Sequence, residues 1–242
     1  MSHSSAEPHR PLDDLSDQDL LKRAEQGDST AFELIVRRHN QALFRAARGI
    51  LDDEGYAQEA LQNAYLNAFT HMASFQGRAC LKTWLTQIVI NQAISIKRRQ
   101  RPLLSLDEKL AVIHPIHPIH PEETQMALHV VDPRTPEAAV SQEQTKRLLE
   151  TAIRRLPETY RSVFMLRAVE GMSVADSVVC LQLTEAVIKK RLSRARAMLR
   201  KYLTQPLEHQ VSEAFEFAGK RCDAVTEHVM AELARRGMIK PN

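Results

Sequence analysis

The 242-residue chain is short of the residues that mark several common protein classes. Its three cysteines, Cys80, Cys180 and Cys222, lie far apart with no CxxC pair, which speaks against a disulfide framework. Only 7 glycines occur and alternating polar/β-branched runs are scarce, while helical spacing is common, so an all-α fold is expected. No apolar run is long enough to cross a bilayer, so membrane insertion is not expected. Met1 to Pro11 is polar and lacks the apolar centre of a secretory signal; a cytoplasmic location is the default. There is no Ser/His/Asp triad, phosphate loop or zinc motif with workable spacing. No catalytic residue, metal site or cofactor is therefore expected, and the chain does not read as an enzyme. What is present is ample apolar content (43%) beside 26% charged residues, enough for a packed core in two modest domains.

Helix signals punctuate the first hundred residues. Ser16 with Asp19 resembles a capping box, and Gly27 suits a helix stop. Thr30 with Glu33 is a second capping box, predicted to open a helix to about Ile50 with Phe32, Ile35, Val36, Leu43, Ala46 and Ala47 on one face. A helix from about Asp53 would bury Ala57, Ala60, Leu61, Ala64, Tyr65, Ala68 and Phe69. Another, from about Ala79, carries Leu81, Leu85 and Ile88 and ends in Lys97-Arg98-Arg99-Gln100-Arg101 before Pro102. Residues 102–135 are rich in proline and include His114-Pro115-Ile116-His117-Pro118-Ile119-His120-Pro121, which favours extended polyproline II and reads as a flexible linker. Its three histidines would share a face, but without a rigid cage they are read as linker rather than metal ligands.

Helices resume at about Glu137 and break at Leu156-Pro157. Another runs to Glu170 with Gly171 as its stop, Ser173 with Asp176 caps a short helix to about Leu181, and Thr184 caps a long one to about Leu203. Gln182 sits in the intervening turn, where a positive φ would strain it. Past Pro206, Val211, Phe215, Val225, Val229 and Leu233 continue at helical spacing. The organisation expected is a disordered N-terminus (1–15), a helical domain (16–101), the linker (102–135), a second helical domain (136–204) and a helical extension (205–242).

Net charge is only +3, so its distribution carries the functional reading. From Ala60 to Leu106 there is no aspartate or glutamate, while Arg78, Lys82, Lys97, Arg98, Arg99 and Arg101 stand among Tyr65, Phe69, Phe75 and Trp84. Cations free of competing carboxylates suit a phosphate backbone, and neighbouring rings can stack on unpaired bases. A second acid-free stretch, Ala186 to Leu207, holds Lys189, Lys190, Arg191, Arg194, Arg196, Arg200 and Lys201 on the long helix of a helix-turn-helix. Taken from the residues alone, the blocks also fit an ordinary helix-turn-helix regulator or an adaptor whose basic helices meet acidic partners. Cys80, beside the basic residues, is expected to be a buried, inert thiol.

The ordered motifs resemble bacterial RNA polymerase sigma factors of the extracytoplasmic-function type (sigma-70 family, group 4). Gly27-Asp28 with Ala31-Phe32-Glu33, then Ala60-Leu61-Gln62, Tyr65-Leu66 and Ala68-Phe69, and Phe75, Gly77 and Thr83-Trp84-Leu85 with Ile88, Asn91 and Arg98-Arg99 resemble sigma region 2. Leu156-Pro157, Tyr160-Arg161, Val163-Phe164, Glu170-Gly171, Lys189, Arg191-Leu192 and Arg194-Ala195-Arg196 resemble region 4. The resemblance implies two partners, core RNA polymerase and promoter DNA as duplex and melted strand. It implies polymerase contacts at Glu59, Gln62, Asn63 and Leu66, with Asn63 standing where the family usually has glutamate. It implies minus-ten contacts at Phe75, Arg78, Lys82, Thr83, Trp84, Asn91, Lys97, Arg98 and Arg99. It implies minus-thirty-five contacts at Thr184, Glu185, Lys189, Lys190, Arg191, Arg194 and Arg196. Whether an anti-sigma factor holds such a chain inactive, or the tail does so in cis, stays open, as does the chemistry of Phe215-Glu216-Phe217.

Overall fold

The computed structural model describes residues 15–100, 136–203 and 214–239, with side chains from 144 onward in the middle segment. The N-terminal residues 1–14, the Pro/His-rich stretch with His114, His117 and His120, and Val211 lie outside the described residues. Nine α-helices and no strand occur among the described residues: α1 (Asp17–Glu25), α2 (Ser29–Arg48), α3 (Glu54–Thr70), α4 (Leu81–Gln100), α5 (Pro136–Arg155), α6 (Glu158–Phe164), α7 (Val174–Leu181), α8 (Glu185–Tyr202) and α9 (Lys220–Arg235).

Local chemistry sets most boundaries. Ser16 caps α1 by accepting from the Asp19 amide and donates to the Asp19 carboxylate, so both groups at that end are satisfied. Gly27 turns the chain at φ 82°. The cap of α2 is Asp28, which accepts from the amides of Thr30 and Ala31, so the helix opens before the expected Thr30–Glu33 box. A carboxylate two residues ahead of the hydroxyl reaches those amides first. Asp53, Ser173 and Thr184 cap α3, α7 and α8 as their side-chain chemistry predicts.

Helices α1 to α4 form one core. The predicted face of α2 is buried, as is that of α3, whose four alanines let α2 and α4 approach closely. Phe32 meets Phe69 edge-on with centroids 4.7 Å apart, and the Tyr65 hydroxyl donates to the Val36 carbonyl at 3.0 Å. On α4 the buried face runs through Leu81, Leu85, Val89, Ile90, Ala93 and Ile96, leaving Ile88 half-buried.

Helices α5 to α8 form a second group around Leu149, Ile153, Val163, Phe164, Ile188, Ala195 and Leu199. Beyond α6 the chain widens into one π-helical stretch, Met165–Val169, before Gly171. Helices α7 and α8 form the helix-turn-helix, and Gln182 in its turn occupies the left-handed region at φ 53°, the conformation that strains a side chain.

Helix α9 lies against α2 and α3. Arg221 pairs with Glu54 at the start of α3, and Arg236 reaches Thr70 at its end, so α9 runs alongside α3 in the same direction. Val225, Val229 and Leu233 are buried as their spacing predicts, and the Asn40 amide donates to Thr226. Phe215, by contrast, is not helical: it sits at φ 54° in a short irregular segment ahead of α9.

Candidate nucleic-acid and polymerase interface

The tip preceding α4 is shaped by a 3-10 turn, Met72–Ser74, and by Gly77 at φ 67°. This turn brings Phe75 back onto α4, where its ring meets Trp84 at 5.2 Å between centroids. Both rings are half-buried, so each is braced on the core while part of it faces solvent. Arg78 is exposed in the loop between the two rings, while Asn91 is exposed further along α4 and Arg98 and Arg99 at its C-terminal end.

Three other members of this block are engaged by the second helical group. Lys82 Nζ lies 2.9 Å from Glu170 Oε2, while Arg45 of α2 holds Oε1 of the same carboxylate at 3.1 Å. Thr83 is buried and donates to Asp176 Oδ1 at 2.9 Å. Lys97 pairs with Glu158. The carboxylates absent from the local sequence therefore arrive from α6, α7 and the turn between them. Glu170 is mostly buried, which makes its pair with Arg45 and Lys82 far less screened than a surface contact.

The contact between the two groups continues through Arg161, a buried guanidinium that donates to the Gly49 and Ile50 carbonyls at the end of α2 and pairs with Asp52. Gly49 favours this approach, because a Cβ there would stand 3.1 Å from the Ser162 Cα and press the two backbones apart by a few tenths of an ångström. Cys180 closes the same interface by donating to the Thr83 carbonyl at 3.4 Å, and burial pushes its thiol pKa up to about 12. Cys80 departs from expectation: it is exposed, with its sulfur 3.1 Å from the Thr83 hydroxyl, because it precedes α4 rather than facing the core. Arg45, Arg161, Glu170 and Gly49 carried no sequence signal for this contact, since their partners in it lie 88 to 125 residues away.

On α3, Glu59 is partly exposed and pairs with Arg99 at 3.1 Å; Gln62 and Asn63 are half-buried, and Leu66 is buried. Their i, i+3, i+4, i+7 spacing puts the four on one face of α3, with Leu66 its buried member.

The second basic block is differently placed. Thr184 accepts from the Val187 amide at the start of α8, and Glu185 pairs with Lys189 on the exposed face. That pair holds the Glu185 carboxyl below its usual range. Lys189, Lys190, Arg194 and Arg196 are exposed, Arg191 is half-buried, and Arg194 reaches the Tyr160 hydroxyl at 3.4 Å. Ile188, Ala195 and Leu199 anchor the helix beneath them. With Arg200 and Lys201 exposed beyond them, the helix presents six exposed cations, suited to phosphates and base edges in a duplex groove.

Comparison with known proteins agrees with this layout. The family described as Sigma-70 region 2 matches residues 35–102, and Sigma-70, region 4 matches residues 146–199. The ECF RNA polymerase sigma factor SigM of Mycobacterium tuberculosis is 32% identical over 78% of this chain and 85% of its own length. The RNA polymerase sigma-H factor of Pseudomonas aeruginosa is 29% identical over 79% of this chain and 95% of its own. The structure of CnrH in complex with the cytosolic domain of CnrY shares the fold, with a TM-score of 0.50 at 23% identity over 76% of this chain and 95% of that one. The chain belongs to the sigma-70 family, among the ECF RNA polymerase sigma factors. With that membership goes its function: it binds core RNA polymerase and directs initiation at promoters, while bond formation is the polymerase's work. No helix among the described residues is long and apolar enough to cross a membrane.

Proposed function

We propose that this sigma factor divides its labour among three surfaces, and that it works in the cytoplasm. Helix α3 docks on core polymerase through Glu59, Gln62, Asn63 and Leu66. The α4 block opens and holds the minus-ten element: Phe75 and Trp84 receive an extruded base, Thr83 orients that tip, and Arg78, Lys82, Asn91, Lys97, Arg98 and Arg99 meet the melted strand. Helix α8 reads the minus-thirty-five duplex with Thr184, Glu185, Lys189, Lys190, Arg191, Arg194 and Arg196. The linker 102–135 joins these two units, numbered here 16–101 and 136–204. Binding energy that favours the melted strand, rather than covalent chemistry, is the chain's contribution.

The observation that carries this reading is the Phe75–Trp84 pair, half-buried at a tip where Arg78 is exposed and at the head of a helix that ends in Arg98 and Arg99. Each ring is partly exposed and packed against the core, an arrangement suited to stacking on a flipped base. Run-off transcription with core polymerase and promoter fragments tests it. The intact chain should give initiation that depends on its presence. Trp84→Ala should lose open-complex formation while its affinity for core polymerase is kept; an equal loss of both, with helix content intact, would contradict the assignment.

A further inference from the structure

The short segment ahead of α9 touches both helical groups at once. Toward α2, the Gln41 side chain is held from both ends: its amide nitrogen donates to the Phe215 carbonyl at 2.8 Å, and its oxygen accepts from the Phe217 amide at 2.6 Å. The Phe217 ring stacks on Phe44 at 4.2 Å, and the Arg48 guanidinium lies 5.3 Å from the centre of the Phe215 ring. Toward α5, the Phe215 amide donates to Glu150 Oε1 at 2.8 Å, and Glu216 pairs with Lys146 at 2.6 Å. Both rings are buried, although the segment has no helix of its own. Phe215 is also held at φ 54°, a region that a bulky side chain occupies only when its surroundings impose it.

This staple has a consequence for the promoter-reading block. As long as α5 is fixed to α2, the carboxylates of Glu158, Glu170 and Asp176 stay against Lys97, Lys82 and Thr83. A DNA phosphate would have to displace those carboxylates to reach the same groups. We propose that Ala214–Phe217 is an intramolecular latch that holds the second helical group on the first and keeps the minus-ten block closed until the segment is released. The proposal rests on the assignment of α4 to the minus-ten element. It gives the extension beyond α8 a task, and it identifies the occupant of the promoter-reading groups in the resting chain as the chain itself.

Cys180 reports the state of the latch, because its sulfur is covered by Thr83 of the other group. The test compares the full chain with Phe217→Ala and with the double variant Lys146→Ala/Glu150→Ala. The double variant removes both links to α5 and leaves the rings on α2. Alkylation of Cys180 by iodoacetamide is followed by peptide mass spectrometry without any partner, and open-complex formation is followed with core polymerase on one promoter. Both variants should raise the Cys180 rate by about tenfold or more, as expected for freeing a covered interface, and should raise open-complex yield at limiting chain concentration. Unchanged Cys180 reactivity in the double variant, with helix content intact, would overturn the latch. Faster alkylation with no gain in open complexes would overturn its inhibitory role. Absence of initiation by every chain, the unaltered one included, would instead strike at the promoter assignment, and the alkylation rates would still decide whether the segment holds the interface.

Discussion

Helices α4 and α8 carry the same kind of sequence signal, a run of cations with no carboxylate nearby in the chain, yet they end in different electrostatic surroundings. On α8 the cations Lys189, Lys190, Arg194 and Arg196 stand in solvent, and the one carboxylate among them, Glu185, makes a local pair one helical turn away. On α4, Lys82 and Lys97 are each met by a carboxylate from the second group, and Thr83 is buried against another. Charge segregation along a chain thus identifies groups suited to phosphate, but says nothing of what the fold places opposite them. One basic block stands open to solvent; in the other, Lys82, Thr83 and Lys97 are engaged by carboxylates of the second group.

The largest effect that would break this contrast is at Glu170. Glu170→Ala leaves Arg45 and Lys82 without the carboxylate they share in a mostly buried setting, and should cost about 3 kcal/mol of stability, read from urea unfolding. Glu185→Ala on α8 should leave the unfolding midpoint where it is, because its pair with Lys189 is exposed. Equal effects from the two would mean that the α4 block is no more engaged than α8.

Binding of the free chain to minus-thirty-five duplex gives the next test. Arg194→Ala should weaken it by about 1–3 kcal/mol if the side chain reads a base, and similarly for all sequences, with a shallower salt dependence, if it meets phosphate. Lys82→Ala should leave this binding unchanged, since Lys82 already faces Glu170.

A smaller gain is expected in the turn that aims α8. Gln182→Gly relieves a side chain at φ 53° and should raise stability by ~0.5–1 kcal/mol, measured by thermal unfolding. The smallest effect lies away from both basic blocks. The His39 ring, with Nε2 3.2 Å from Asp17 Oδ2, and then the hydrogen-bonded Arg38 guanidinium hold the Asp17 carboxyl at about 2, against 3.8 ordinarily, despite partial burial. A carboxyl whose pKa is depressed on folding stabilises the fold above its ordinary value, and that stabilisation is lost as pH falls through its folded value. Asp17→Asn should therefore be less stable than the parent at pH 6, and the difference should fade as pH drops from about 4 toward 2, followed by circular dichroism.

Much of the helical framework was legible because helix formation is local. Caps at Ser16, Asp53, Ser173 and Thr184, stops at Gly27 and Gly171, and apolar faces at helical spacing all act within a few residues. The opening of α2 was misplaced because Asp28 outcompetes Thr30 for the same amides, a choice between neighbours that pattern alone does not rank. The π-helical stretch after α6 gave no signal, since a single wider turn leaves apolar spacing almost unaltered. Most candidate site residues were found by charge and ring content, and the Phe75–Trp84 contact joins two of them. Arg161 and Gly49 were not found, because a buried arginine and a close backbone approach are defined by partners distant in the chain.

By itself, the sequence determined an all-α chain, two basic blocks of sigma type and the amphipathic face of α9. Each of these follows from short-range periodicity, capping or charge, which a linear pattern records. Only the tertiary structure decided that Glu158, Glu170 and Asp176 face the first block, that Cys180 is covered, and that Phe215 and Phe217 clasp α2 while their segment holds α5. Those contacts arise from packing between segments far apart in the chain, where desolvation and geometry select partners that no local pattern encodes.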